Sequence, residues 1–260
     1  MRVLTRTIET QEPVRIIPLA DTHIGDAGCD VARVREMVKQ ISEKHDTFTI
    51  LDGDLMNIAI AGSRSDSYHE TMPPSDQLRE CVEIFGRLAE QGKILAVLPG
   101  NHEERISRVA GVDMTQLFCR ELAIEGHYSP TSTLLFVKFG FNKKHDRTSK
   151  MVYSIYVNHG HVGGRRPGGK INALEDMAKI VTADVYIMGH THQPACFRNA
   201  HYVPNPGNCT VSKREQVFVN TASFLRWDGS YADRAGYVPA SNEVPVINLD
   251  SLRHHVTVTM

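Results

Sequence analysis

The sequence predicts an α/β fold, in which the strands of a sheet alternate with helices. Five short apolar runs rich in β-branched residues, each bounded by Gly, Asn or Asp, have the pattern of buried strands. These runs cover residues 15–20, 48–51, 94–98, 153–157 and 185–188. Apolar residues at helical spacing lie between the runs, and the order strand, helix, strand predicts right-handed βαβ units.

Four helices are predicted from this spacing. The first begins near Val31, with Asp30 as its N-cap. The second follows Pro73 and Pro74, with Ser75 as its cap. The third and fourth are expected over residues 112–125 and 172–183. Further strands are expected over 132–139, 216–220, 244–249 and 255–259, with a polar hairpin over 142–149 and a surface loop over 59–74.

The composition of the chain predicts a soluble, cytoplasmic protein with one domain over residues 1–260. Its hydrophobic content of 41% is normal for a chain with a sizeable core, and the net charge of −1 gives no overall attraction to nucleic acid or membrane. The first thirteen residues lack the apolar stretch of a signal peptide, and no run approaches the ~20 apolar residues of a membrane span. The five scattered cysteines form no C-x-x-C pair, which favours free thiols in a reducing compartment.

Clusters of metal-ligand residues directly follow the five apolar runs. Because open α/β sheets bind ligands at the carboxyl ends of their strands, we expect the clusters to meet at the ends of five strands of one sheet. The clusters are Asp21 with His23; Asp54 after Gly53; Asn101, His102 and Glu103 after Gly100; His159 with His161; and His190 with His192.

The ligand inventory indicates two metal ions rather than one. The residues counted as ligands supply two carboxylates, four imidazoles and one amide oxygen, which are too many for one ion and suit two ions that share a bridging ligand: Asp21, Asp54, His23, His159, His190, His192 and Asn101. Two divalent ions beside two carboxylates leave a net positive centre, which suits an anionic phosphate. Mixed imidazole and oxygen ligands favour Mn, Fe, Zn or Co over Mg or Ca, and Mn is the first expectation.

The five blocks, Asp-x-His, Gly-Asp, Gly-Asn-His-Glu, His and Gly-His-x-His, resemble the pattern of the calcineurin-like metallophosphoesterase family. The resemblance spans about residues 14–225 and keeps every ligand position. It implies a four-layer α/β/β/α sandwich and a site for two metal ions. By this resemblance Asp21, His23 and His192 hold one ion, Asn101, His159 and His190 hold the other, and Asp54 bridges them.

The resemblance also implies a mechanism, in which metal-bridged hydroxide attacks the phosphoester. His102 is then the general acid for the leaving group, and Glu103 helps to orient it. The expected substrate contacts are Arg105, His161, Arg165 and Arg166. For Arg105 a surface salt bridge is an equal alternative, and for His161 a role in supporting a ligand. The basic, glycine-rich segment 163–170 is either a phosphate-binding loop or a solvated one.

Three functions fit these motifs, and the oligomeric state is left open by the sequence. The first is a phosphodiesterase for a nucleotide or nucleic acid, since residues 53–57 resemble the Gly-Asp-Leu-Phe-Asp block of double-strand-break repair nucleases, with Asn57 in place of the acid. The second is a phosphomonoesterase or phosphoprotein phosphatase, although the Gly-Asp-x-Val-Asp-Arg block of Ser/Thr phosphatases is absent. The third is a non-catalytic scaffold like the family's retromer subunit, but such members usually lose the histidine that is present here as His102.

Overall fold

The computed structural model describes residues 1–61, 63, 68, 70–140, 151–161 and 166–260. Its strands are β1 (Arg2–Ile8), β2 (Val14–Leu19), β3 (Thr47–Asp52), β4 (Ile94–Leu98), β5 (Thr133–Phe139), β6 (Val152–Val157), β7 (Val185–Met188), β8 (Ala195–Asn205), β9 (Thr210–Asn220), β10 (Val246–Leu249) and β11 (Val256–Thr259). Its helices are α1 (Val31–Glu43), α2 (Pro74–Glu90), α3 (Glu103–Ala110), α4 (Met114–Glu121), α5 (Pro167–Asp176) and the short α6 (Tyr231–Arg234).

The strands form two sheets, and each sheet carries part of the predicted site. The five-stranded sheet has the order β11-β10-β2-β3-β4, and its neighbours β2, β3 and β4 run parallel. The six-stranded sheet has the order β1-β5-β6-β7-β9-β8, and β6, β7 and β9 run parallel within it. The expectation of one sheet with five ligand-bearing strands was therefore wrong: three such strands lie in one sheet and two in the other. Buried parallel strands have the same apolar pattern in either sheet, so that pattern cannot assign a strand to its sheet.

The two sheets pack face to face around an apolar core. Ile16, Ile50 and Leu98 of the five-stranded sheet lie in one cluster with Ile155 and Ile187 of the six-stranded sheet. All five side chains are fully buried. This packing holds the carboxyl ends of β2, β3 and β4 next to those of β6 and β7.

Helices cover the outer face of each sheet. Val34 of α1, Phe85 of α2 and Phe118 of α4 pack against the five-stranded sheet. Leu174 of α5 packs with Tyr186 and other residues of the six-stranded sheet. The four-layer α/β/β/α sandwich implied by the resemblance is thus confirmed.

The helix boundaries differ from the sequence prediction at several places. Pro73 occupies the N-cap position of α2 without a side-chain cap bond, and Ser75 lies in the first turn. Pro74 occupies the first helical position, which suits proline because its fixed φ is helical and its missing N–H would have no partner there. The third predicted helix is shorter than expected, since α4 begins after its cap Asp113, whose carboxylate accepts a 2.8 Å bond from the Gln116 N–H.

Other elements were missed or lie elsewhere than predicted. Helix α5 begins at Pro167, so Gly168 to Lys170 form its first turn instead of a loop. Strands β1 and β8 and helix α3 were not predicted, because their polar residues break the apolar pattern. The polar hairpin expected over 142–149 lies outside the described residues. In the part of the chain that is described, no helix combines the length and apolar character needed to cross a membrane.

Candidate metal centre

Five of the predicted ligands lie in turns with left-handed backbone. The φ angles are 53° at Asp21, 49° at His23, 50° at Asp54, 65° at His190 and 56° at His192. A residue other than glycine rarely adopts positive φ, and such a conformation costs ~1–3 kcal/mol unless its surroundings fix it. Each turn therefore has to be held by contacts with its neighbours.

Close approach between the loops after β3 and β4 supplies one such contact. A Cβ added to Gly53 would lie 2.4 Å from the backbone nitrogen of Gly100, and one added to Gly100 would lie 2.1 Å from Oδ1 of Asp54. Backbone hydrogen bonds also join the loop after β2 to the loop after β3, from the Asp21 N–H to the Gly53 carbonyl and from the His23 N–H to the Asp54 carbonyl, both 3.0 Å. Only glycine fits at positions 53 and 100.

Asp21, His23 and His192 form the first cluster of ligand atoms. The Nε2 atoms of His23 and His192 are 3.1 Å apart. Oδ1 of Asp21 lies 3.2 Å from His192 Nε2 and 3.8 Å from His23 Nε2. Donors at ~2.1 Å from one ion in tetrahedral geometry are ~3.4 Å apart, so these three atoms have the spacing of a metal site.

Asp54, His159 and His190 form the second cluster. Oδ2 of Asp54 lies 3.1 Å from His159 Nε2. The Nδ1 atom of His159 faces the carbonyl oxygen of Asp52, which can only accept, so Nδ1 carries the proton and Nε2 is left as a ligand. Asp54 also groups with His23, a member of the first cluster, and with His102. Its carboxylate therefore reaches both clusters.

Orphaned polar atoms show whether this donor set fits metal ions. Among the described residues, Oδ1 of Asn101 is buried and has no hydrogen-bond partner, while the buried Oδ1 of Asp21 and Nε2 of His159 face other members of the two clusters. Buried polar atoms are almost always partnered, and these oxygen and imidazole donors suit Mn, Fe, Zn or Co. The residues present thus fit two divalent ions. Burial raises the pKa of the fully buried Asp52 carboxyl group well above its usual range.

The surroundings of two of these histidines shift their pKa values in opposite directions. Burial strongly lowers the pKa of His23, and the charges on neighbouring histidines lower it further. Burial also disfavours a charge on His159, but the carboxylates of Asp54, Asp21 and Asp52 outweigh it and raise its pKa well above the usual value. A proton on His159 occupies the place of a cation, so we expect metal binding to release protons.

His102 stands beside the shared carboxylate. Its Nδ1 donates a 2.6 Å hydrogen bond to the carbonyl oxygen of Asn57, and its backbone N–H donates to Oδ1 of Asp54 at 2.8 Å. Nε2 of the ring lies 3.8 Å from Oδ2 of Asp54. Burial lowers the pKa of His102 to about 4, with a contribution from the charge on Arg105, although Asp54 opposes the shift.

Glu103 contacts backbone groups in place of the expected contact with His102. One carboxylate oxygen accepts from the N–H groups of Asp54 at 3.0 Å and Gly100 at 2.9 Å, and the other accepts from Met56 at 2.9 Å. The side chain is buried, and burial together with the charge on Asp54 raises its pKa. Glu103 therefore ties the loops after β3 and β4 to the start of α3, which is why a buried acid follows the Asn-His pair.

A comparison with models of protein families identifies the chain. The model described as calcineurin-like phosphoesterase matches residues 14–194, well over half of the chain. The chain belongs to the calcineurin-like phosphoesterase family. The resemblance inferred from the five blocks is thereby confirmed, and no curated protein matches the chain.

Solved structures similar to this family member include a predicted phosphoesterase from Streptococcus pneumoniae TIGR4. It is 14% identical, with a TM-score of 0.39 and coverage of 96% of this chain and 90% of that one. A zinc complex of wild-type Vps29 from Entamoeba histolytica is 12% identical, with a TM-score of 0.36 and coverage of 95% and 97%. At this level of similarity neither structure bears on what this chain does.

The predicted substrate contacts differ in where the structure places them. Arg105 is half-buried next to His102, and its Nη1 lies 3.3 Å from the Asn57 carbonyl oxygen and 3.5 Å from that of Ile58. His161 and Arg166 are exposed, and Arg165 falls outside the described residues.

Three residues near the ligands were not singled out by the sequence. Lys170 donates from Nζ to the Thr191 carbonyl at 2.9 Å, between the ligand positions His190 and His192. Asn220 donates from its amide to the Thr191 hydroxyl, and Ser223 donates to the Asp21 carbonyl at 3.1 Å. Asn220 ends the apolar run of β9, which is the same signal that marked the five clusters.

Proposed function

We propose that this family member is a two-metal phosphoesterase whose substrates are phosphodiesters of nucleotides or nucleic acids. The observation that carries the proposal is the Asp54 carboxylate, which reaches both ligand clusters with His102 beside it. Two bound divalent ions would supply an activated water as the nucleophile and would stabilise charge on the phosphoryl oxygens. The net positive charge of such a centre would attract an anionic ester.

The proposed ligands of each ion follow the clusters. Asp21, His23 and His192 would hold one ion. His159 and His190 would hold the second together with Asn101, whose buried amide oxygen has no other partner among the described residues. Asp54 would be the shared ligand. Manganese is the metal we propose, on the grounds of the mixed nitrogen and oxygen donors.

His102 is proposed as the general acid. Its Nδ1 bond to the Asn57 carbonyl fixes the ring so that Nε2 faces the shared carboxylate of Asp54. A phosphate anion bound there would favour the charged imidazolium, which burial disfavours in the free protein. Nε2 can then give its proton to the departing oxygen. Arg105, on the same helix, is the proposed phosphate contact.

The preference for a diester rests on the sequence after β3. Residues 53–57 resemble the corresponding block of repair nucleases, and the block typical of Ser/Thr phosphatases is absent. Asn57 has a neutral side chain where both of those blocks have an acid, and its backbone carbonyl holds His102. The phosphomonoesterase is the second candidate.

The test is hydrolysis of bis-p-nitrophenyl phosphate and of p-nitrophenyl phosphate with Mn²⁺. The variant His102→Ala is expected to lose about 10²- to 10⁴-fold in kcat on diphenyl phosphate, a diester whose leaving group needs a proton, and to keep its metal, because it removes a proton donor and no ligand. His127→Ala is the matched control, since His127 also donates from Nδ1 to a backbone carbonyl, that of Ile94 at 2.7 Å. The control is expected to keep full activity.

Each other outcome points to a different function. A preference for the monoester would identify a phosphomonoesterase and refute the diester proposal. Wild-type protein that binds two ions per chain and hydrolyses neither ester would favour a scaffold. Full activity of metal-loaded His102→Ala on diphenyl phosphate would remove the general acid from the mechanism.

A further inference from the structure

The turn that follows the Asp54 loop contains a strained residue. Ile58 has a φ of 43° and is fully buried. For a β-branched side chain the left-handed region is a genuine outlier, because Cβ crowds the backbone. Such strain persists only where the surrounding structure fixes it, and it concentrates at functional sites.

The carbonyl groups of this turn face the two side chains proposed to act on the substrate. The Asn57 carbonyl accepts from Nδ1 of His102 at 2.6 Å and from Nη1 of Arg105 at 3.3 Å. The Ile58 carbonyl lies 3.5 Å from the same Nη1 atom. The orientation of the peptide unit between Asn57 and Ile58 therefore sets the position of His102.

Gln77 of α2 holds the other end of that peptide unit. Its Oε1 accepts from the Ile58 N–H at 2.9 Å, and its Nε2 donates to the Met72 carbonyl at 3.0 Å and to the Glu70 carboxylate. Gln77 is fully buried and packs against Gly25, where an added Cβ would lie 2.3 Å from its Cδ. The side chain is thus held by hydrogen bonds at both ends of its amide and by packing against Gly25.

Glu70 completes the network. One of its carboxylate oxygens accepts from the amide of Gln77, and the other accepts from the amide of Asn57. Only a carboxylate can accept from two amide NH₂ groups in this way. Gln77 therefore has both ends of its amide fixed, and Asn57 is held through its amide NH₂ group. None of these three side chains contacts the ligand clusters through a described bond.

We propose that Gln77 is a positioning residue, which holds the Asn57–Ile58 peptide in its strained orientation so that the Asn57 carbonyl keeps His102 in place for proton donation. The inference rests on the proposed function, since it assigns Gln77 a task in that reaction. Without an acceptor for its N–H, the buried left-handed Ile58 gains by relaxing toward the right-handed region. That rotation turns the Asn57 carbonyl away from Nδ1 of His102.

The leaving group distinguishes this role from a merely structural one. p-Nitrophenolate departs without a proton, whereas phenolate is a stronger base and needs the general acid. Displacement of His102 should therefore slow the phenyl ester much more than the p-nitrophenyl ester. Loss of stability or of metal would lower both rates by the same factor.

The experiment compares wild type with Gln77→Met on Mn²⁺-loaded protein, using diphenyl phosphate and bis-p-nitrophenyl phosphate. Methionine fills the space of glutamine but cannot accept from Ile58. We expect kcat on the phenyl ester to fall about 10- to 10²-fold, with KM and metal content unchanged and the p-nitrophenyl rate within about 3-fold of wild type. Gln216→Met is the matched control, since Gln216 is also buried and its Nε2 donates to the Tyr186 hydroxyl at 2.6 Å.

Glu70→Gln provides a second variant, which places an amide NH₂ group against that of Gln77 or of Asn57 and so weakens the hold on the Asn57–Ile58 peptide. It should shift the ratio of the two rates in the same direction, and it decides the question if Gln77→Met does not fold. A ratio of the two rates like that of wild type, whether both rates fall equally or neither falls, would overturn the inference. Wild-type protein inactive on both esters would instead refute the proposed function.

Discussion

The Asp54 side chain lies where the two ligand clusters meet. One carboxylate oxygen is 3.1 Å from Nε2 of His159, and the other accepts from the His102 backbone. Burial alone would favour the neutral acid, but the nearby histidines outweigh it and hold the pKa of Asp54 well below its usual range. A carboxylate that stays charged inside the protein is suited to bridge two cations.

Replacement of this carboxylate should reduce metal binding. Asp54→Asn keeps the shape of the side chain but removes its charge, so we expect fewer than two ions per chain after dialysis against Mn²⁺. Atomic emission spectroscopy on the purified variant measures this directly. Asp184→Asn is the control, since Asp184 is partly buried and accepts from Ser154 instead of lying in a cluster. Two retained ions in Asp54→Asn would contradict the bridging role.

At the scale of elements, the start of α3 links two loops of the site. Glu103 is 2% exposed and accepts from three backbone N–H groups in the loops after β3 and β4. The sequence could predict that this residue matters, because it follows the Asn-His pair. It could not predict the partners, because backbone N–H groups occur at every position and leave no mark in the sequence.

Glu103→Gln should destabilise the fold. The amide end of glutamine is a donor, so at least one buried N–H loses its acceptor, which costs about 1–3 kcal/mol in the free energy of unfolding. Urea denaturation monitored by circular dichroism measures the loss as a lower midpoint at unchanged m-value. The adjacent Glu104→Gln is the control, since Glu104 pairs with Arg108 at the surface. Equal stability of both variants would show that the three bonds contribute little.

The whole molecule joins ligands from two sheets. Motifs at the ends of apolar runs predicted that side chains such as Asp21, Asp54, His159 and His192 come together, since a buried strand followed by Gly, Asp or His has a clear sequence signal. Their division between the sheets could not be predicted, because strand pairing is decided by tertiary packing. The left-handed backbone of Ile58 could not be predicted either, since nothing in the residue type favours that conformation.

Metal ions at this junction should stabilise the whole fold. Asp21 follows a strand of the five-stranded sheet and His192 a strand of the six-stranded sheet, so one ion would join both. Ligands that bind only the folded state add about 2.7 kcal/mol at 100-fold excess over Kd, which corresponds to about 5–10 °C in Tm. Calorimetry with Mn²⁺ and with a chelator should show this difference, and Asp54→Asn should show much less. An unchanged Tm in wild type would contradict the binding of metal ions at this junction.

Activity as a function of bound metal tests whether the centre works with two metal ions. Metal-free protein is titrated with Mn²⁺, and the rate of bis-p-nitrophenyl phosphate hydrolysis is measured beside the number of ions per chain. We expect full activity to require the second equivalent of Mn²⁺, because the two clusters share Asp54 and are proposed to act as one centre. Full activity with one ion, or no hydrolysis with two ions bound, would contradict it.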